Sequence, residues 1–269
     1  MNNNRNDAEA QRISKISYVW YMKIINAKIF EKYPEIKFGF STKIGLNREA
    51  PYFFNMSNSV GDDPKKVDEN RKAFFNEFGL REDQIAYQRQ VHGDEVKIVS
   101  QPGVQGESDA VITNKPGIGL AISTADCTPI FIYDKKIKLI AAVHSGWRST
   151  KERIVEKTLL KLKSKFDCNP NDLICYIGPC ISQKNYEVGK DFENYFDKKY
   201  LQPKDDKYLL DLKSANKDML LEFGVKPDNI EVSNLCTFEE DYLHSYRREG
   251  KVSGRALGII AMEFSGLTN

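Results

Sequence analysis

The sequence predicts an α+β fold in a single domain, with mostly antiparallel central sheets flanked by helices. Three observations predict it. Strand-like runs cluster in the middle of the chain instead of alternating strictly with helices, which disfavours a doubly wound parallel sheet. No glycine-rich strand-to-helix loop marks a Rossmann or P-loop nucleotide site. Finally, the 269 residues are 41% hydrophobic, 29% charged and 11% aromatic. That composition suits a sizeable core and excludes disorder, a collagen-like repeat and a coiled coil. With no internal repeat or low-complexity linker, one domain over residues 21–269 is expected after a flexible leader at 1–20.

Alternating or apolar runs predict strands at Ile36–Thr42, Glu95–Gln101, Asp109–Thr113, Ile118–Ser123, Pro129–Asp134, Ile137–His144, Asp172–Gly178 and Asn229–Leu235. Asp63-Pro64 reads as an N-cap followed by proline in the first turn, and Gly79 closes that helix. Ser149-x-x-Glu152 reads as a capping box opening a helix with the apolar face Val155, Leu159, Leu162 and Phe166. Asp211 to Gly224 carries a cap, an apolar face of Leu212, Ala215, Met219 and Phe223, and a terminal glycine. In the helix from Pro64, Arg71 falls on the stripe of Val67, Phe74 and Phe78. An inward guanidinium needs an anion or must snorkel outward, so it is either a structural ion pair or a ligand for a substrate anion.

Forty basic against 38 acidic residues leave +2, too balanced to advertise a nucleic-acid or anionic-membrane partner. The longest apolar stretch, Ile118 to Tyr133, contains Asp126 and two threonines and is too short and polar to span a bilayer. The first residues lack the apolar segment of a secretory signal, and five sparse cysteines fit a reducing, cytoplasmic setting in which thiols stay free.

Chemistry concentrates in Asp126 to Arg148, DCTPIFIYDKKIKLIAAVHSGWR, which reads as two strands around a turn. A loop centred between Lys135 and Lys136 would set Cys127 directly opposite His144, with Cβ atoms about 4.5–5.5 Å apart. That span lets a thiolate and an imidazole share a metal at about 2.0–2.3 Å each. Two features could shift the register: Lys-Lys is no favoured hairpin turn, and Pro129 invites a bulge. His92, in QVHGDEV, offers a third ligand. Three protein ligands leave a fourth tetrahedral position open, as catalytic zinc requires. The same spacing also suits a core imidazole beside a small buried thiol.

Taken together, these stretches resemble the bacterial YfiH-like family, also known as multicopper polyphenol oxidoreductase or laccase-like. The matching segments are STKIG at Ser41, VGDD at Val60, ENR ending at Arg71, QVHG around His92 and SDAVIT at Ser108. TADCTPI around Cys127, HSGWR from His144, IGPCI ending at Ile181, Cys236-Thr237, SYRREG at Ser245 and Ser253-Gly254-Arg255 follow in the family's order. The resemblance implies an α/β/β/α layering and a zinc-dependent purine nucleoside phosphorylase that also deaminates adenosine. It implies one zinc per chain on His92, Cys127 and His144. Substrates would be phosphate and adenosine, inosine or guanosine, with methylthioadenosine as a further candidate. Two departures stand out: a single Gly45 follows Ile44 where many members have a Gly-Gly pair, and His244 stands where an aromatic is common. His244 is therefore expected to be incidental, exposed or capping.

For that chemistry Asp126 is the nearest carboxylate in sequence for proton transfer, or else a structural brace. Lys43, Arg71 and Arg148 are candidates for phosphate, with solvated surface charge as the alternative for Lys43 and Arg148. Arg247, Arg248 and Arg255 form a further basic cluster. Trp147 could stack on a purine or fill the core. Two other functions compete. A copper-dependent polyphenol oxidase fits poorly, because coupled coppers need about ten histidines and the chain has three. A metal-free cysteine hydrolase using Cys127 and His144, acting on peptidoglycan precursors, needs only the same adjacency.

Overall fold

In a computed structural model, residues 22–263 are described; the leader expected at 1–20 lies outside them. Two six-stranded sheets form the centre. The first runs β1 (Ile24–Ile25), β2 (Ile36–Ser41), β15 (Ala256–Met262), β7 (Gly119–Thr124), β3 (Ile85–Arg89) and β5 (Gly103–Glu107). The second runs β14 (Ile230–Val232), β10 (Leu173–Ile177), β8 (Thr128–Asp134), β9 (Leu139–Ser145), β6 (Ala110–Thr113) and β4 (Val96–Ile98). A small third sheet joins β11 (Glu187–Val188), β13 (Lys207–Leu210) and β12 (Leu201–Lys204). Most neighbours are antiparallel, with parallel pairs at β3–β5, β3–β7, β4–β6 and β10–β14.

Side-chain alternation explains the layering. In β8, Phe131 and Tyr133 enter the core shared with Phe38, Phe40, Leu120 and Ile260 of the other sheet. Their neighbours Ile130 and Ile132 face the opposite way, onto Leu159 and Leu162 of α3 (Ile154–Phe166) and Met219 of α4 (Leu212–Glu222). On the far side of the first sheet, Phe74 and Phe75 of α1 (Pro64–Asn76) pack on Ala121, Leu257 and Ile259. The order is helix, sheet, sheet, helix. Strands buried on both faces read as continuous apolar runs, which is why β8 and β9 stand out in the sequence. Where the sheets press closest, a Cβ on Gly258 would lie 2.4 Å from Phe131, so this position tolerates no side chain.

All eight expected strands are present with ends shifted by one to three residues, β7, β8 and β9 each gaining a residue at one end, and Asp63 caps α1 as expected, its side chain accepting from the Lys65 amide. Asp211 caps α4 in the same way through the Ser214 amide. Strands without a sequence expectation include β3, β5 and β15. Ser149-x-x-Glu152 is not a capping box. The chain leaves β9 directly into a short helix, α2 (Trp147–Lys151), with Gly146 at its N-cap and Ser149 buried inside it. Arg153, at φ 57°, then breaks the path before α3 begins. No helix among the described residues is long and apolar enough to cross a membrane.

Candidate metal centre and cavity

The β8–β9 hairpin has a different register from the one expected. Pro129 pairs with His144 and Asp134 with Leu139, so the turn spans Lys135–Lys138 and Cys127 falls beyond the last pair. The offset is two residues. Because strand side chains repeat every two residues, an even slip keeps the face. His144 continues the inward face of Ile140 and Ala142, and Cys127 that of Phe131 and Tyr133. Both therefore reach the same end of the inter-sheet layer, one step apart along the strands.

His92 completes the group. Its Nε2 lies 3.8 Å from the Cys127 sulfur, and its ring stands edge-on to His144 with centroids 4.8 Å apart. One ligand atom from each of the three residues falls within 4.8 Å of the others. Tetrahedral bonds of about 2.0–2.3 Å set neighbouring ligand atoms about 3.5 Å apart, so this donor set fits a borderline-soft cation with little movement. Gly146 lets the backbone pass close to two of these side chains, since a Cβ there would sit 2.9 Å from the Cys127 sulfur and 2.9 Å from the His92 ring. His92 is exposed, Cys127 partly exposed and His144 buried, so the cluster opens to the cavity on one side.

A residue that the sequence reading passed over holds the group together. Asp109, fully buried, takes His144 Nδ1 on its carboxylate at 2.7 Å and the His144 amide on its backbone carbonyl at 2.7 Å. The same carboxylate accepts the backbone amides of Val91, His92 and Gly93. It thereby turns His144 Nε2 towards the cluster and fixes His92 in a left-handed conformation, φ 59°. The available signal was one carboxylate opening an otherwise apolar run, Asp109–Thr113.

Electrostatics in the metal-free site follow from this packing. Burial pushes the Cys127 thiol up, but His144 and His92 outweigh it and bring its pKa down to about 6. Burial pushes His144 down, but Cys127 and Asp109 outweigh it and raise its pKa to about 9. Burial likewise opposes ionisation of Asp109, yet the His144 hydrogen bond and the backbone amides hold its pKa below the ordinary value. Near neutral pH the site holds a thiolate beside an imidazolium.

Asp126 adopts φ 86°, and both its oxygens are occupied. Oδ1 accepts from the Thr237 hydroxyl at 2.6 Å and Oδ2 from the Arg247 amide at 2.6 Å. The Ile181 amide binds its carbonyl, and the Thr124 hydroxyl binds that of Cys127. These contacts set the Cys127 loop, so the geometry matches the brace of the two roles expected for Asp126.

The cluster borders a cavity of about 810 Å³ whose lining includes Arg148, Arg247, Arg255, Trp147, Tyr186 and Tyr246. Arg148 lies over Trp147 at 4.4 Å and Arg247 over Tyr186 at 5.2 Å. Arg248 is turned inward instead, donating to the carbonyls of Thr237 and Phe238. The other two phosphate candidates lie outside the lining, which corrects the expectation for them. Lys43 is buried in an ion pair with Glu249. Arg71 donates to the Met56 carbonyl at 2.8 Å, pairs with Glu82 at 3.5 Å and covers Tyr87. The anion demanded by its inward stripe is a protein carboxylate. His244, expected to be exposed or capping, is 1% exposed and packs against Gly254, where a Cβ would come within 2.5 Å of its ring. Burial first, then Lys43, push its pKa down to about 3.

Fold and site define a class: a four-layer α+β protein with a His₂Cys cluster at the mouth of an arginine-lined cavity. The chain belongs to the family described as Multi-copper polyphenol oxidoreductase laccase, which it matches over residues 37–263. It is 32% identical over 258 residues to a protein named Purine nucleoside phosphorylase from Bacteroides thetaiotaomicron, covering 88% of this chain and 96% of that one. To Purine nucleoside phosphorylase YfiH from Escherichia coli it is 34% identical over 230 residues, covering 82% and 91%. Among solved structures, the hypothetical protein YfiH of Bacillus licheniformis superposes with a TM-score of 0.85 at 25% identity, covering 90% of this chain and 97% of that one. YlmD of Geobacillus stearothermophilus gives 0.83 at 26% identity, covering 91% and 99%.

Proposed function

We propose that the protein is a zinc-dependent, cytoplasmic purine nucleoside phosphorylase that also deaminates adenosine. The observation that carries this reading is the His92–Cys127–His144 cluster opening onto a cavity in which the Arg148 guanidinium has no hydrogen-bonded partner among the described residues, while those of Arg247 and Arg255 also donate to backbone carbonyls. Relatives named purine nucleoside phosphorylase at up to 99% coverage of their length support it. When bound, zinc would supply Lewis acidity and lower the pKa of a coordinated water.

The chain's own residues do the rest. Phosphorolysis needs phosphate held in line with the ribose C1′ and little covalent help, so positioning and charge dominate. Arg148, with no hydrogen-bonded partner among the described residues, is the phosphate ligand of this reading, and Arg247 and Arg255 close the same cavity. Asp109 keeps His144 Nε2 facing the cluster, and Asp126 keeps the Cys127 loop and the Arg247 backbone in register. Trp147 and Tyr186 give apolar faces on which a purine can stack. Phosphate-dependent release of free base, measured for wild type and Arg148→Ala, tests the reading. An increase of about ten- to a hundredfold in the phosphate KM of the variant supports it. Wild type that releases no base in phosphate buffer refutes it.

One observation favours a second reading. The thiolate–imidazolium pair of Cys127 and His144 is the charge state of a cysteine hydrolase. That reading uses His92 only to help lower the Cys127 thiol pKa and does not call for three metal-type donors converging on one point. The family's oxidase name finds less support, since three histidines in the whole chain cannot hold coupled coppers.

A further inference from the structure

Asn55, fully buried, precedes the turn that brings Ser57 to the cavity. Its carboxamide is saturated. Oδ1 accepts the Ser57 amide at 3.0 Å and the Arg255 amide at 2.9 Å. Nδ2 donates to the Ser57 carbonyl at 2.9 Å and to Asp62 at 3.0 Å. That uses both donors and both lone pairs, so the network assigns the amide one orientation. The next residue, Met56, donates its amide to the Arg255 carbonyl at 3.0 Å. Two consecutive residues therefore fix both backbone groups of Arg255. Helix α1 holds them in turn: Asn70, also buried, donates to the Asn55 carbonyl at 2.8 Å and Arg71 to the Met56 carbonyl at 2.8 Å.

Arg255 lines the same cavity as the metal cluster and is partly exposed. With its amide and carbonyl both engaged, what it brings to the cavity is its side chain. Nη1 donates to the Ser253 and Gly254 carbonyls at 2.7 and 3.0 Å. This anchors the guanidinium and leaves its Nε–Nη2 edge without a hydrogen-bonded partner among the described residues. That edge is the fork that matches two oxygens of one phosphate. Burial holds the Arg255 pKa below its ordinary value while Cys127 and Asp126 pull the other way, so the charge lies within electrostatic reach of the metal cluster. A fork of this kind works only on a fixed base, because a misplacement of about 1 Å can cost about a hundredfold in rate. We propose that Asn55 is a positioning residue for the phosphate co-substrate, acting through Arg255. This rests on the phosphorolysis reading above. Asn55 does for the arginine wall what Asp109 does for the metal ligands.

The experiment measures kcat, phosphate KM and inosine KM for Asn55→Asp in the wild-type and Arg255→Ala backgrounds. Aspartate keeps the shape and the acceptor for both amides but turns an oxygen towards Asp62 and the Ser57 carbonyl. Asn55→Asp should raise the phosphate KM about tenfold and leave the inosine KM within about twofold. Arg255→Ala should raise the phosphate KM about ten- to a hundredfold, and adding Asn55→Asp to it less than about twofold further, since the two act as a unit. Combining Asn55→Asp with Asp62→Asn, which returns a donor to face the new carboxylate, should bring the phosphate KM back to within about threefold of wild type. A merely structural asparagine would lower turnover equally in both backgrounds. If Asn55→Asp does not fold, Asp62→Ala, at a partly exposed position, takes its place and should raise the phosphate KM about threefold only where Arg255 is present. Additive losses in the two backgrounds, or an unchanged phosphate KM in the folded variant, overturn the inference while wild-type activity stands. Wild type that releases no base from inosine in phosphate buffer overturns the underlying reading and this inference together.

Discussion

Asp109 binds His144 twice, through its carboxylate to the ring and through its carbonyl to the amide, and the same carboxylate carries the backbone of His92. One buried side chain therefore sets two of the three candidate metal ligands, which otherwise come from separate parts of the chain. Asp109→Asn preserves the shape but lowers the acceptor strength and lets the His144 tautomer change. Metal affinity should fall about ten- to a hundredfold, measured by competition with a chromogenic chelator. Unchanged affinity would mean that Asp109 only stabilises the fold.

Gly146→Ala tests the close approach of the backbone to the thiol and to His92. The backbone there, φ −76° and ψ 175°, accommodates alanine without strain. The added methyl would fall 2.9 Å from the sulfur of Cys127 and from the His92 ring. The expected variant folds, keeps its circular dichroism spectrum and loses metal. Full metal occupancy in Gly146→Ala would show that the ligands do not use that geometry.

The thiol should be reactive in metal-free protein. With its pKa brought down to about 6, Cys127 becomes thiolate as pH rises through that value, well below the ordinary thiol range. Alkylation by iodoacetamide should reach half its maximal rate near pH 6 and be suppressed by bound zinc. A midpoint near the ordinary thiol value would contradict the pairing with His144. A proton on His144 competes with the metal below about pH 9 and one on Cys127 below about pH 6, so metal affinity should fall as pH drops through both.

Asp126→Asn separates brace from acid. A brace that holds Thr237 and Arg247 should lower phosphorolysis and deamination in parallel, with stability lost by about 1.5–3 kcal/mol. A proton donor would lose deamination alone. Rates for both reactions on adenosine decide between them.

Much of this site was legible because periodicity survives errors of register. The hairpin turn is four residues, Lys135–Lys138, yet the two-residue slip kept Cys127 and His144 on one face. The apolar runs of β8 and β9 were equally legible, since both faces are buried. Charged residues were harder. Arg71 and Lys43 look like ligands in sequence because their partners, Glu82 and Glu249, are distant or on another element. His244 looks incidental because the burial around it comes from residues such as Gly254 and Tyr52. Asp109 hides at the head of a strand, where only tertiary structure reveals three amides converging on it. β15 was missed although Ser253-Gly254 precedes its apolar run, and β3 was missed because its five residues end in the polar pair Gln88-Arg89.

The central claim is a zinc-dependent reaction at His92, Cys127 and His144, and one measurement addresses it most directly. Protein purified without added metal is analysed for elements, stripped with a strong chelator, and assayed for nucleoside phosphorolysis before and after zinc is restored. The account predicts about one zinc per chain, loss of turnover on stripping, recovery on zinc addition, and none of these in Cys127→Ser. Turnover that persists undiminished in fully stripped protein would contradict it and favour Cys127 as a nucleophile.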